Sequence, residues 1–154
     1  MSATEDSSAE ALPDREILAT RAFNTPRELV FHAWSGPNHL ARWWGPKGFT
    51  NTFHEFDMRP GGTWRFVMHG PDGVDYKNIS VFVEVVKPER IVLQRVSSPQ
   101  FPVTATFAGQ AGKTKLTFQM LFKTAAVCAR VRVYAVEANE QNFDRLEAQL
   151  SKMA

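Results

Sequence analysis

Only one cysteine, Cys128, occurs in the 154 residues. A single thiol excludes an intrachain disulfide and a cysteine-built metal cluster. Long apolar runs are missing as well. Nothing approaches the roughly 20 residues that a helix needs to span a bilayer, so membrane insertion is not expected. Charge of one sign is also lacking: 18 Lys and Arg against 16 Asp and Glu leave a net +2. The basic residues are scattered, with Arg130 and Arg132 the densest group, which gives no electrostatic footprint for nucleic acid. No His-x-x-x-His pair falls on a helical stretch, and the chain has no phosphate loop of the Gly-x-x-x-x-Gly-Lys type and no Gly-x-Ser-x-Gly elbow. Neither a metal nor a cofactor is therefore expected. The first ten residues carry no basic start and no apolar stretch, which makes the cytoplasm the default address.

What the chain does have is aromatic side chains: 12 Phe, 4 Trp and 2 Tyr. Trp43 and Trp44 are adjacent and run into Gly45-Pro46-Lys47-Gly48-Phe49. Apolar area is worth roughly 25 cal/mol per Å² removed from water, so two neighbouring indoles must cover a core, a partner or a cavity.

Residues 1–13 are rich in Ser, Ala and Glu and read as a disordered lead. Residues 14–154 read as one domain. A first strand is expected over about 15–23, with Ile17, Ala19, Arg21 and Phe23 on one face. Thr25-Pro26-Arg27-Glu28 opens a short helix that Ser35-Gly36-Pro37 ends, with Thr25 as its cap. A second short helix carries Leu40, Trp43 and Trp44 and stops at Gly45-Pro46. Strands follow over 49–58, 63–69, 74–86, 90–96, 101–107 and 113–122, separated by short Gly- and Pro-containing turns. That pattern makes an antiparallel meander. The long strand 74–86 changes phase between Tyr76 and Val85, which calls for a bulge. Thr124 can cap a last helix that reaches about residue 152, with Val127, Val131, Tyr134, Ala138, Phe143, Leu146 and Leu150 along one stripe.

The strand faces supply a candidate lining for a pocket: Trp64, Phe66, Met68, Tyr76, Phe118 and Met120, with Trp43 and Trp44 at the mouth. On strand 49–58, Glu55 and Asp57 should seek water, which would turn His54, Phe56 and Met58 inward. His54 is then the candidate for acid–base work, since an imidazole titrates near neutral pH. Tyr76 and Asn78 could add polar groups inside. Glu137 and Gln141, one turn apart on the last helix, could join them if that face turned inward, although their neighbour Glu140 points to a solvated face. Cys128 has the look of a small buried residue.

The order strand, two short helices, strand meander and long helix is a helix-grip α+β arrangement, a curved sheet wrapped around a C-terminal helix. The run Thr20–Phe31, then His39-Leu40 with Trp43-Trp44-Gly45-Pro46, resembles the START-like SRPBCC superfamily, which includes the birch-pollen-allergen fold. So do Asp57 through Trp64, the turn Gly70-Pro71-Asp72-Gly73, Pro88-Glu89-Arg90-Ile91 and Phe143-Asp144-Arg145-Leu146. The branch it most resembles is the bacterial homologues of the C-terminal domain of the heat-shock ATPase activator, near the polyketide-cyclase-like proteins. The likeness covers about residues 15–150. In that branch glycine often stands where this chain has Tyr134 and Ala138, so Tyr134 would fill the hollow or place a phenol in it.

The resemblance implies a cavity between sheet and helix that takes a small apolar or aromatic molecule. Trp43, Trp44, Phe56, Trp64, Phe66, Met68, Tyr76, Phe118, Met120 and Tyr134 would supply contact area, and His54 and Asn78 orientation. The alternatives it also implies are a polyketide-cyclase-like enzyme, with His54, Tyr76 and Glu137 moving protons, and a module that docks on a chaperone. A homodimer is compatible with a domain of this size.

Overall fold

The computed structural model describes residues 12–153. The expected disordered lead lies outside them except at Leu12 and Pro13, which open a helical turn, α1 (Leu12–Arg15). There follow β1 (Glu16–Phe23), α2 (Arg27–Ser35), α3 (Pro37–Trp43), β2 (Thr50–Phe56), β3 (Thr63–His69), β4 (Asp75–Val86), β5 (Arg90–Arg95), β6 (Phe101–Gln110), β7 (Lys113–Leu121) and α4 (Ala125–Met153). One sheet holds all seven strands in the order β1-β7-β6-β5-β4-β3-β2, every pair antiparallel. Its edges are β1 and β2. The helix-grip expectation is met: α4, 29 residues and about 44 Å at 1.5 Å per residue, lies along the inner face.

Three strands follow the sequence pattern directly. Ile17, Ala19 and Phe23 are buried along β1, Trp64 and Phe66 along β3, and Leu116, Phe118 and Met120 along β7. Two strands do not, and each departs at a bulge. In β2 the pairing with β3 shifts between Phe53 and Glu55. Phe53 faces inward, His54 is the extra residue, and the phase then returns Phe56 to the inner side. His54 is consequently exposed, not inward as its place in the alternation had implied. In β4 the shift lies between Phe82 and Glu84. The expected bulge is present, but the inner face upstream of it is Asn78, Ser80 and Phe82, while Val83 is 56% exposed.

The turn between β2 and β3 is tied to β4. Gly61 N donates to Phe82 O at 2.8 Å, and Phe82 N donates back to Gly62 O at 2.9 Å. Within the turn, Asp57 N donates to Thr63 O and Gly62 N to Arg59 O. Gly62 lies so close to the chain at Asp57 that a Cβ on it would sit 1.9 Å from the Asp57 carbonyl oxygen.

The helices pack through indoles. Trp34 of α2 and Trp43 of α3 are each 1% exposed, with ring centroids 5.1 Å apart and edge to face. Trp43 Nε1 donates to Ala33 O at 3.0 Å. At roughly 200 Å² per buried ring, each contributes on the order of 5 kcal/mol of gross burial. The N-terminus of α2 differs from expectation. Pro26 occupies the cap and no side chain bonds there. The Thr25 carbonyl instead accepts a bond from Thr114 Oγ1 at 2.7 Å, which ties the helix start to β7. The cap expected at the other end of the chain does form: Thr124 Oγ1 accepts from Val127 N at 3.2 Å.

The buried stripe of α4 is Cys128, Val131, Ala135, Asn139, Phe143, Leu146, Gln149 and Leu150. It is rotated from the expected one: Val127 is half-buried and Tyr134 is 62% exposed. Two amides, Asn139 and Gln149, take inward positions that an apolar stripe could not reveal. Gln149 Nε2 donates to His39 Nδ1 across 3.0 Å, which requires the neutral imidazole with Nδ1 as acceptor. Burial, then His32 and Arg42 nearby, hold the His39 pKa below its ordinary 6.5. A basic group lowered in the folded state leaves the unfolded chain binding more protons as pH falls. Its share of stability is therefore complete above about pH 6.5 and declines below that. The stability lost between about pH 7.5 and about pH 5.5, read from urea midpoints, should be smaller in His39→Gln than in the parent.

Candidate functional site

Sheet and helix do not meet flush. Between the inner faces of β3 to β7 and the N-terminal half of α4 lies a cavity of about 440 Å³. Its floor is aromatic. Trp64, 1% exposed, stacks on Phe66 at 4.3 Å and on Phe82 at 6.2 Å with nearly parallel rings. Trp44 meets Trp64 edge to face at 5.1 Å and Trp34 at 5.6 Å, which links the floor to the helical core. Phe118, Met120 and Val103 form the wall on β6 and β7, and Val131, Ala135 and Ala138 the wall on α4. Tyr76 and Tyr134, both exposed, stand at the rim.

The two adjacent tryptophans therefore have different tasks. Trp43 ends α3 inside the core and does not line the cavity. Trp44 caps the helix in extended conformation and presents its ring to the hollow. The chain can make this break because Gly45 follows with φ +101°, a left-handed backbone that residues with a Cβ rarely adopt. The break is held from α4. Arg145 Nη1 donates to the carbonyls of Trp44, Gly45 and Pro46 at 3.1, 2.9 and 3.0 Å, and Nη2 donates to Arg42 O at 2.9 Å. Asn142 Oδ1 accepts from Gly45 N, and Gln141 Oε1 from Lys47 N, both at 3.1 Å. One guanidinium thus satisfies the carbonyls a helix end leaves open. Burial without a carboxylate partner lowers its pKa from the usual arginine value.

Polar groups in the lining are few. Asn78 is 4% exposed, and Ser80 and Asn139 are also buried. Asn139 Nδ2 lies 3.6 Å from Met120 Sδ. Among the described residues Arg95, at the end of β5, is the one charged residue in the lining. Its Nη1 donates to Asn78 Oδ1, its Nε to Pro99 O at 3.1 Å, and its Nη2 to Ser98 O at 3.2 Å. The guanidinium carbon lies 6.0 Å from the centre of the Phe101 ring. Among the described residues no carboxylate pairs with it. Burial lowers its pKa, and the neighbouring Tyr134 partly offsets that.

Of the twelve residues expected to line the pocket, the structure gathers nine around the cavity: Trp44, Trp64, Phe66, Met68, Tyr76, Asn78, Phe118, Met120 and Tyr134. Tyr134 does not fill the hollow as its size had implied; it leans outward at the rim. Trp43 is in the core, and Phe56 faces a separate hollow with Phe31, Met58 and Val85. The acid–base candidates are not brought together. Only Tyr76 lines the cavity. His54 is exposed at its bulge, and Glu137 is exposed and accepts from Gln141 Nε2 at 3.0 Å. Arg95 was absent from the expected set, yet the pattern contains it: Ile91 and Leu93 are buried, and period two places Arg95 on their face. On the opposite, exposed face, Thr52 Oγ1 meets His69 Nε2 and His69 Nδ1 meets Asp75 Oδ1, each at 2.7 Å. This chain lies outside the cavity lining. No group of three His, Cys, Asp or Glu fit to hold a metal ion occurs among the described residues, and no helix among them is long and apolar enough to cross a membrane.

The family model for activator of Hsp90 ATPase homolog 1-like protein matches residues 24–151. No curated protein matches the chain. Solved structures do. A protein from Nitrosomonas europaea superposes with a TM-score of 0.85 at 19% identity, over 95% of this chain and 100% of that one. One from Mycobacterium smegmatis gives 0.80 at 22% identity, over 90% and 91%. The AHSA1 protein from Silicibacter pomeroyi gives 0.74 at 19% identity, over 90% and 99%. At these identities the likeness establishes the shared fold.

Proposed function

The chain belongs to the family of activator of Hsp90 ATPase homolog 1-like proteins, and from that premise we propose that it binds a small, largely apolar molecule between its sheet and its long helix. Membership supplies the fold, and a fold of this kind carries many unrelated activities, so the reading rests on the site. The observation that carries it is the hollow itself: about 440 Å³, floored by stacked aromatics, walled by aliphatic and thioether side chains, with one charged residue. Small-molecule pockets hold roughly 300–1,000 Å³ and combine an apolar lining with a few placed polar groups. A core built only for stability would close such a space, because voids forfeit dispersion contacts and cost stability.

The test uses a neutral dye, N-phenyl-1-naphthylamine, titrated into the purified protein. Saturable enhancement of dye emission is expected, with quenching of the tryptophans, since Trp44 and Trp64 line the hollow. Ala138→Phe places a benzyl group in the space from the helix side. It should weaken dye binding by about tenfold or more, while the far-ultraviolet circular dichroism stays that of the parent. A parent protein that gives no saturable signal, or a folded Ala138→Phe protein that binds the dye as the parent does, would refute the assignment.

A further inference from the structure

Resting on the reading of the hollow as a binding site, we propose that Arg95 receives the carboxylate of the bound molecule, so that the ligand is an apolar acid rather than a neutral hydrocarbon-like compound. Three observations converge on it. First, among the described residues Arg95 is the sole charged one lining the cavity, and none of those in the lining is acidic. Second, every contact the guanidinium makes is neutral: Asn78 Oδ1, the carbonyls of Ser98 and Pro99, and the Phe101 ring. Third, those contacts fix the group without exhausting it. A guanidinium carries five N–H donors, and three are engaged, which leaves one on each terminal nitrogen. Two donors on one rigid plane match the two oxygens of a carboxylate.

The environment explains why such a group would be held here. A cation half-buried without a counter-charge costs free energy, and an arginine does not escape that cost by losing its proton. Burial already works against its charge. An anion seated beside it relieves the cost, and an apolar body behind the anion covers Phe118, Met120 and Trp64. Arg95 also sits where an acid can reach it, since Tyr134 of the same lining is exposed and Pro99 is only half-buried.

A matched pair of probes separates charge from shape. 2-Naphthoate and its methyl ester are titrated against the full chain by displacement of N-phenyl-1-naphthylamine. The parent should bind the acid about tenfold or more tighter than the ester, the scale of a charge-assisted pair. In Arg95→Met that preference should vanish, with the affinities for ester and dye kept within about threefold. Arg95→Lys should recover part of the preference, because it restores the charge without the fork. Equal affinity of the parent for acid and ester, with the dye still bound, would overturn the role of Arg95 and leave the cavity reading intact. An Arg95→Met protein that loses acid, ester and dye in equal measure would also overturn it, because the residue would then serve only to hold the 96–100 loop. Failure of the dye, acid and ester alike to bind the parent would remove both proposals.

Discussion

Replacing Gly62 by alanine should cost at least about 4 kcal/mol, a large part of the roughly 5–15 kcal/mol that holds a domain of this size together. The new Cβ would lie 1.9 Å from the Asp57 carbonyl oxygen and 2.9 Å from its carbon, both backbone atoms. No rotamer change can relieve that contact. Moving the chain at Asp57 breaks the bond to Thr63 O, and moving Gly62 breaks the exchange with Phe82. Phe82 is the ring stacked beneath Trp64, so the damage reaches the cavity floor. The neighbouring glycine is the control. Gly61 has φ +87° but open space around its Cβ position, so Gly61→Ala should cost only about 1 kcal/mol of backbone strain. Urea unfolding followed by tryptophan emission measures both. A Gly62→Ala protein with a midpoint close to that of Gly61→Ala would show that the turn yields at the Asp57 carbonyl after all.

The second large effect is expected at Arg145. Arg145→Met should lose about 2–4 kcal/mol, because four carbonyls lose their common donor and net charge-assisted bonds contribute about 1.5–3 kcal/mol each before the cost of burying the charge is subtracted. Methionine keeps much of the aliphatic stem, so packing changes little. Arg145→Lys should recover less than half of the loss, since an ammonium has three donors and cannot present them in one plane. The variant should also loosen the Trp44–Pro46 segment, which would appear as a red shift of tryptophan emission in the folded protein before any unfolding transition. If Arg145→Met unfolds at the parent's midpoint with unchanged emission, the segment is held by Asn142 and Gln141 alone.

These two residues illustrate what could be read from the chain. Arg59-Pro60-Gly61-Gly62 announces a turn, but which glycine is forced by crowding depends on Asp57 and Phe82, which reach it through two different strands. Arg145 stands in a recognisable Phe-Asp-Arg-Leu run, yet its partners lie about one hundred residues earlier. The strand faces of β1, β3 and β7 were legible because a regular pleat obeys period two. His54 was misplaced because one extra residue inverts that period, and nothing local marks the inversion. The stripe on α4 lies a fraction of a turn from the apolar pattern, since Val127 is only half-buried and Tyr134 points outward, while Asn139 and Gln149 are polar but inward. Arg95 was legible in principle: a charge in phase with Ile91 and Leu93 is the kind of inconsistency that marks a site. Nine of the twelve expected pocket residues do line the cavity, most of them aromatic, while the small and aliphatic positions that complete the lining were not singled out. Whether sheet and helix meet or stand apart is set by sheet curvature, which no short window encodes.

The pairing of β1 with β7 sets the order in which this fold can be completed. Glu16 lies opposite Leu121, and Phe23 opposite Thr114. On a ribosome the first strand must wait, unpaired along its length, until the seventh has emerged, and closing so long a loop slows the search for the native register. The roof over the hollow is made later still, from the helix that follows.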